Sequence, residues 1–207
     1  MMEESRKARV KKFIGIGTAC EYPENIPLPF KEEDIWKGSP EDVTAPYGWA
    51  KKMLIIQGEA YRKQYGFNAI HVLPVNLYGP RDNFNRESGH VIPALIKKIV
   101  NAKITKTPFV EVWGTGKATR EFLYVEDAAA GIILATQAYD DVKPLNLGTG
   151  IETPIKDVVK LIMEIVGYKG SIKWNKSKPD GQPRRQLDIT KARKIGFEPK
   201  VHLREGL

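Results

Sequence analysis

Short apolar runs alternate with longer stretches of helical periodicity along most of this chain, and that alternation limits the fold more than any other feature. The runs are 12–17, 68–76, 109–113, 122–125, 145–147 and 171–174. Each is short enough for a strand, and the first two are apolar enough to be buried on both faces of a parallel sheet. Between them, 49–65 carries apolar residues at Met53, Leu54, Ile56, Ala60 and Tyr61, which is helical spacing. Helices are also predicted from about Val91 to Asn101, from Glu126 to Tyr139, from Thr153 to Val166 with Thr153 as the cap, and from Asp188 to Ile195. Met1 to Val10 reads as the last turns of another. Strands alternating with helices argue for an α/β fold with a mainly parallel sheet. At 207 residues and 42% apolar content the chain can form one domain, or one with a small satellite, around a packed core.

The connections carry the turn formers. Residues 21–46 hold five prolines and many acids and are expected to loop over the surface. Leu77 to Asn83 reads as a turn-rich loop, Ser88-Gly89-His90 as the entry to a helix, and 176–185 as a polar, basic loop. The net charge of +8 suits an anionic partner. Its lysines are scattered, with no basic tail and no basic run interleaved with aromatics, so a diphosphate fits better than nucleic acid. One cysteine, Cys20, excludes an internal disulfide and suits a reducing cytosol. No apolar run approaches the ~20 residues of a membrane helix. No metal site is read.

Chemistry is most legible at Pro46-Tyr47-Gly48-Trp49-Ala50-Lys51. Tyr47 and Lys51 are i and i+4 on one helix face. An ammonium beside a phenol favours the phenolate, and so would bring Tyr47 toward a working range for proton transfer. The spacing alone leaves Tyr47 open as a core aromatic and Lys51 as a solvated residue. Ligands of parallel sheets sit beyond the carboxyl ends of the strands. Thr18, Cys20 and Asn76 all follow apolar runs, which groups them with Tyr47.

That group, a small hydroxyl residue after a strand and then Tyr-x-x-x-Lys, resembles the catalytic set of the short-chain dehydrogenase/reductases. More narrowly, the sequence is similar to the extended, GDP-L-fucose synthase branch of that family. The motifs are Ala19-Cys20-Glu21-Tyr22-Pro23, 46–51, Pro74-Val75-Asn76-Leu77-Tyr78-Gly79-Pro80, Asp82-Asn83-Phe84, Gly89-His90-Val91-Ile92-Pro93, Val112-Trp113-Gly114-Thr115-Gly116, Arg120-Glu121-Phe122 and Ser177-Lys178-Pro179-Asp180-Gly181. The resemblance implies epimerisation and reduction of GDP-4-keto-6-deoxymannose with NADP(H) or NAD(H). Tyr47 would be the proton donor and Lys51 would hold the nicotinamide ribose. Thr18 would stand where the family usually has serine, and Cys20 and His90 would form the epimerisation pair. Ile16, Gly17, Thr18, Ala19, Pro74, Val75, Asn76, Leu77 and His90 would line the cofactor, with Tyr47 and Lys51. Asn76, Lys98, Trp113, Arg120 and Lys178 would hold the nucleotide-diphosphate sugar. Trp113 is equally readable as core, and Lys97 competes with Lys98; His71 and His202 read as structural.

One expected feature has no counterpart here. Cofactor binding in this family opens on a strand, a Gly-rich turn and a helix whose N-terminus meets the pyrophosphate. Gly15-Ile16-Gly17 lacks the third glycine and the helix, and Gly148-Thr149-Gly150 comes too late. The resemblance therefore implies a partial Rossmann-like sheet, its later strands only, in residues 1–80. Residues 81–207 form mainly the smaller substrate part, with some segments returning to the sheet. It also implies an incomplete cofactor site and a homo-oligomer or a complementary N-terminal chain as partner. The alternative is a GDP-sugar-binding module without turnover.

Overall fold

The computed structural model describes residues 1–85 and 89–207, so the expected turn residue Ser88 lies outside it. In chain order the elements are α1 (Met2–Lys7), β1 (Phe13–Ile16), α2 (Ala45–Tyr65), β2 (Ala69–Pro74), β3 (Asn76–Tyr78), α3 (Val91–Ile104), β4 (Phe109–Trp113), β5 (Thr119–Tyr124), α4 (Val125–Ala138), β6 (Leu145–Leu147), β7 (Glu152–Pro154), α5 (Ile155–Val166), β8 (Ser171–Asn175), α6 (Thr190–Lys194) and α7 (Leu203–Gly206). The strands form three small sheets. β1, β2 and β6 are parallel, with Ile14 opposite Ile70 and Val72 opposite Leu145. β3 pairs parallel with β5, which pairs antiparallel with β7. β4 and β8 form a parallel pair. Two large apolar cores follow, with a small third cluster of Met2, Phe67 and Ala69. One joins the β1-β2-β6 sheet to Tyr22, Phe30, Ile35, α4 and α6; the other packs α3 and α5 against β4 and β5. The α/β class with parallel sheets is as the alternation requires.

Four details depart from the sequence reading. Residues 21–46 are no surface loop. They contain short 3-10 turns at Glu32–Trp36 and Asp42–Thr44 and bury Tyr22, Phe30 and Ile35. Prolines break the segment into pieces too short to show a period, so its core residues carry no signal. Thr153 does not cap α5; it lies in β7, and the helix starts after Pro154 with no side-chain cap. Leu77 and Tyr78 continue as strand β3 rather than entering the loop, because Asn76 and its followers pair with Phe122, Leu123 and Tyr124. The last predicted helix is shorter, and α7 went unpredicted.

α2 positions the site. Pro46 sits in its first turn, where a missing N–H costs nothing, and Gly66 ends it in the left-handed region at φ 64°. Its buried face is Gly48, Lys52, Ile55 and Gly58. A Cβ on Gly48 would come within 2.6 Å of the Cys20 carbonyl oxygen and 2.8 Å of Pro40. The helix therefore lies directly on the turn that carries Cys20. Gly48→Ala is expected to destabilise the fold by about 2 kcal/mol, since neither the backbone oxygen nor the rigid proline ring can yield cheaply. Urea unfolding measures this, and an unchanged midpoint would mean that α2 is not pressed on that turn.

Candidate active site

β1 ends at Ile16, and the chain turns at once through Thr18 into a 3-10 turn, Ala19–Glu21. Thr18 caps it: its Oγ1 accepts the Cys20 N–H at 3.3 Å, and its own N–H donates to Glu21 Oε1 at 2.8 Å. Glu21 is fully buried against buried His71 of β2, whose Nε2 lies 3.1 and 3.2 Å from the two carboxylate oxygens. A Cβ on Gly17 would fall 2.2 Å from both groups. The turn is thus bolted from below by a buried Glu-His pair. His71 is structural, as read; the role of Glu21 had no signal in spacing.

α2 brings Tyr47 and Lys51 to the same place. Tyr47 is half exposed. Lys51 Nζ donates to the Ile16 carbonyl at 2.8 Å and stands 5.7 Å from the Tyr47 ring centroid. Ile16, Thr18, Cys20, Tyr47 and Lys51 therefore share the carboxyl end of β1. The phenol does not titrate as expected. Partial burial, then the charges of Cys20 and Glu21, push Tyr47 above its ordinary value. The sequence reading had Lys51 lowering it, but the ammonium is directed at the Ile16 carbonyl. Within the window from about 10 upward the folded chain keeps a proton that the unfolded chain has lost. Any stability carried by that proton is present below the window and is lost as pH rises through it. Difference absorbance between the chain and Tyr47→Phe should show phenolate forming above the free value, and Glu21→Gln should lower the midpoint. A midpoint below 10 in the unliganded chain would contradict this reading.

Pro74 and Val75 are buried, Val75 within the core; Gly17 and Ala19 are buried too. Asn76 is directed elsewhere, its Nδ2 donating to the Glu121 carbonyl at 3.1 Å. Leu77 and His90 line a shared recess of about 180 Å³. His90 precedes α3, is exposed, and has Asp82 as its charged neighbour at 3.8 Å. The structure places it in that recess with Leu77.

A second cluster lies between α3 and the strands β4 and β5. A cavity of about 290 Å³ is lined by Lys98, Trp113, Arg120 and Asp180, with Leu95 and Ile155 as its floor. Lys98 and Trp113 also border a wider cleft of about 700 Å³ with Lys97, Asn101 and Glu111. Trp113 is 59% exposed, which removes it from the core. The ammonium groups of Lys98 and Lys178 lie 5.9 and 5.3 Å from its ring. Arg120 is fixed by the Thr119 and Gln182 carbonyls at 2.7 and 2.6 Å. Asp180 is pinned by the Thr115 N–H and hydroxyl at 2.6 and 2.7 Å.

The two clusters meet through a residue that sequence reasoning missed. Arg185 Nη1 donates to Cys20 Sγ at 3.4 Å. Burial and the Arg185 charge together lower the Arg120 pKa. Arg185 sits at the end of the loop read only as polar and basic. It reaches Cys20 because the chain on either side of Leu187 pairs with Phe30. Among the described residues no helix is long and apolar enough to cross a membrane, and no three His, Cys, Asp or Glu side chains group to hold a metal.

A Tyr-x-x-x-Lys helix is thus laid over the carboxyl end of one strand of a parallel sheet. The chain belongs to the NAD dependent epimerase/dehydratase family, which matches residues 1–148. Within it, the chain is 43% identical over 198 residues to probable GDP-L-fucose synthase 1 of Oryza sativa subsp. japonica, covering 96% of this chain and 60% of that protein. It is 39% identical over 207 residues to GDP-L-fucose synthase of Escherichia coli K12, covering 96% and 64%. The crystal structure of a GDP-L-fucose synthetase from Naegleria fowleri bound to NADP superposes with a TM-score of 0.91 at 31% identity, covering 98% of this chain and 65% of that one. The chain spans 60–61% of the length of the first three curated relatives that it matches.

Proposed function

We propose that this chain carries the substrate-binding and proton-transferring part of a cytoplasmic nucleotide-sugar epimerase/reductase of GDP-L-fucose synthase type. The observation that carries the proposal is the convergence of Thr18, Cys20, Tyr47 and Lys51 at the carboxyl end of β1, with a cationic, tryptophan-walled cavity beside it. Residues 1–80 form the nicotinamide side and 81–207 mainly the sugar-nucleotide side, with β6 returning to the first sheet. Lys98, Arg120 and Lys178 carry the charge for a diphosphate, and the exposed Trp113 face suits a sugar or base.

The residues present fit the nicotinamide end of NADP(H): an exposed phenol, an ammonium and the 37% exposed Ile16 side chain stand together at a strand terminus. The bound cofactor supplies the hydride to C4 of the keto sugar. Thr18 donates its hydroxyl hydrogen to the ketone oxygen, which its own acceptor role toward Cys20 leaves free. Tyr47 delivers the proton to that oxygen as charge develops. Before reduction, Cys20 removes a proton from the carbon beside the ketone, and His90 returns one on the opposite face.

Partner contact follows from α2. Trp49, Met53 and Ile56 form an exposed stripe at helical spacing, and a second copy of the chain is the occupant that we propose. Energy transfer from the tryptophans to NADPH, with and without a GDP-sugar, tests the proposal. Saturable micromolar GDP-sugar binding that weakens in Trp113→Phe is expected. No binding of either ligand would overturn it.

A further inference from the structure

We propose that Arg185 is a positioning residue for Cys20: its guanidinium holds the thiol sulfur in place and stabilises it as the thiolate. The inference deepens the proposed function, since the role of Cys20 rests on that reading, but the geometry stands by itself. All three guanidinium nitrogens are engaged. Nη1 donates to Cys20 Sγ at 3.4 Å, Nε to Gln182 Oε1 at 2.7 Å, and Nη2 pairs with Glu41 Oε2 at 3.2 Å. The Arg185 side chain is only 12% exposed and that of Glu41 20% exposed. Gln182 is buried and fixed in turn, its Nε2 donating to the Glu24 carbonyl at 3.3 Å. A planar group held at two of its nitrogens has one orientation, and that orientation aims the third at the sulfur.

The sulfur is also constrained from its own backbone, whose N–H donates to Thr18 Oγ1. Arginine stays protonated throughout the working range, so it cannot itself move a proton between carbon atoms. It can favour the anionic form of a neighbour, and the thiolate is the form of cysteine that acts as base or nucleophile. When Cys20 gives up its proton, the negative charge lies against Nη1. When it reprotonates, Arg185 keeps its contacts with Gln182 and Glu41. Glu41 moderates the effect, because it shares the guanidinium charge. Lys51, Tyr47, Glu21, His71 and Arg120 are other ionisable groups around this turn.

Cys20 is the one cysteine in the chain, so alkylation by iodoacetamide reports it alone. At neutral pH, Arg185→Gln should slow alkylation about fivefold, as expected when a charge-assisted hydrogen bond to a thiolate is lost. Arg185→Lys should restore most of the rate, and Glu41→Gln should raise it above that of the parent chain. Thiolate absorbance in the far ultraviolet should follow the same order. Faster or unchanged alkylation in a folded Arg185→Gln chain would overturn the proposal, because the arginine would then merely shield the sulfur. Should Arg185→Gln fail to fold, Glu41→Gln decides, and an unchanged or slower rate there overturns it. Alkylation needs neither sugar nor cofactor, so this result is independent of whether the proposed reaction occurs.

Discussion

Replacing Tyr47 with phenylalanine is expected to lower NADPH-dependent reduction of GDP-4-keto-6-deoxymannose by about 10³-fold, with GDP-sugar binding retained. The magnitude follows from removing a positioned proton donor without disturbing its support. Tyr47 is half exposed, and its hydroxyl is not part of the core, so the fold should survive. The cavity that would hold the sugar nucleotide is lined by Lys98, Trp113 and Arg120, and Tyr47 takes no part in it. Its raised pKa keeps the phenol protonated near neutrality, which suits a donor rather than a base. Loss of NADPH absorbance measures the rate, and tryptophan quenching the binding. Equal losses of binding and rate would assign Tyr47 to substrate recognition instead.

Asn146→Ala is expected to cost about 4 kcal/mol, a large fraction of the 5–15 kcal/mol that usually separates folded from unfolded. Asn146 is fully buried in β6. Its Oδ1 accepts the Tyr22 hydroxyl at 2.6 Å, and its Nδ2 donates to the carbonyls of Phe30 and Asp188 at 2.9 and 3.0 Å. Burial holds the Tyr22 phenol neutral, so it remains a donor. Truncation leaves the Tyr22 hydroxyl and the Asp188 carbonyl without their Asn146 partner, each at roughly 1–3 kcal/mol, while the Phe30 carbonyl keeps only the Asp188 N–H at 2.9 Å. The three partners lie on two segments far from β6 and from each other in sequence, 22–30 and the stretch at Asp188, so the loss also loosens the seam that brings Arg185 to Cys20. The expected signature is a lower urea midpoint with an unchanged slope. A midpoint shift worth less than about 1 kcal/mol would mean that water replaces the side chain.

The same residue shows why part of this molecule was hidden in its sequence. β2 was legible because a parallel strand buried on both faces is simply apolar; β1 was legible as a short apolar run, although it lies at the sheet edge and leaves Ile16 exposed. α2 was legible because its apolar spacing is helical and Gly66 closes it. The order of motifs from Ala19 to Gly181 was enough to identify the family. Residues 21–46 were not legible, since Tyr22, Phe30 and Ile35 are buried without any period, held by Asn146 and by the pairing of Phe30 with Leu187. Glu21 carried no role beyond its place in a motif, and Arg185 none beyond its place in a basic loop. Their surroundings are assembled only when distant segments meet: β2 supplies His71 to one, and the turn after β1 supplies Cys20 to the other. Lys51 was correctly grouped with Tyr47, but the spacing could not say that its ammonium points to the Ile16 carbonyl.

Epimerisation needs no hydride, so it isolates the chemistry assigned to this chain's own residues. The most direct measurement is deuterium incorporation into GDP-4-keto-6-deoxymannose incubated with the chain in heavy water, read by mass spectrometry and proton NMR. The account predicts exchange at the carbons flanking the ketone that is abolished in Cys20→Ser and persists in Tyr47→Phe. A chain that binds the sugar nucleotide yet exchanges no deuterium would contradict it, and would leave a GDP-sugar-binding module without turnover.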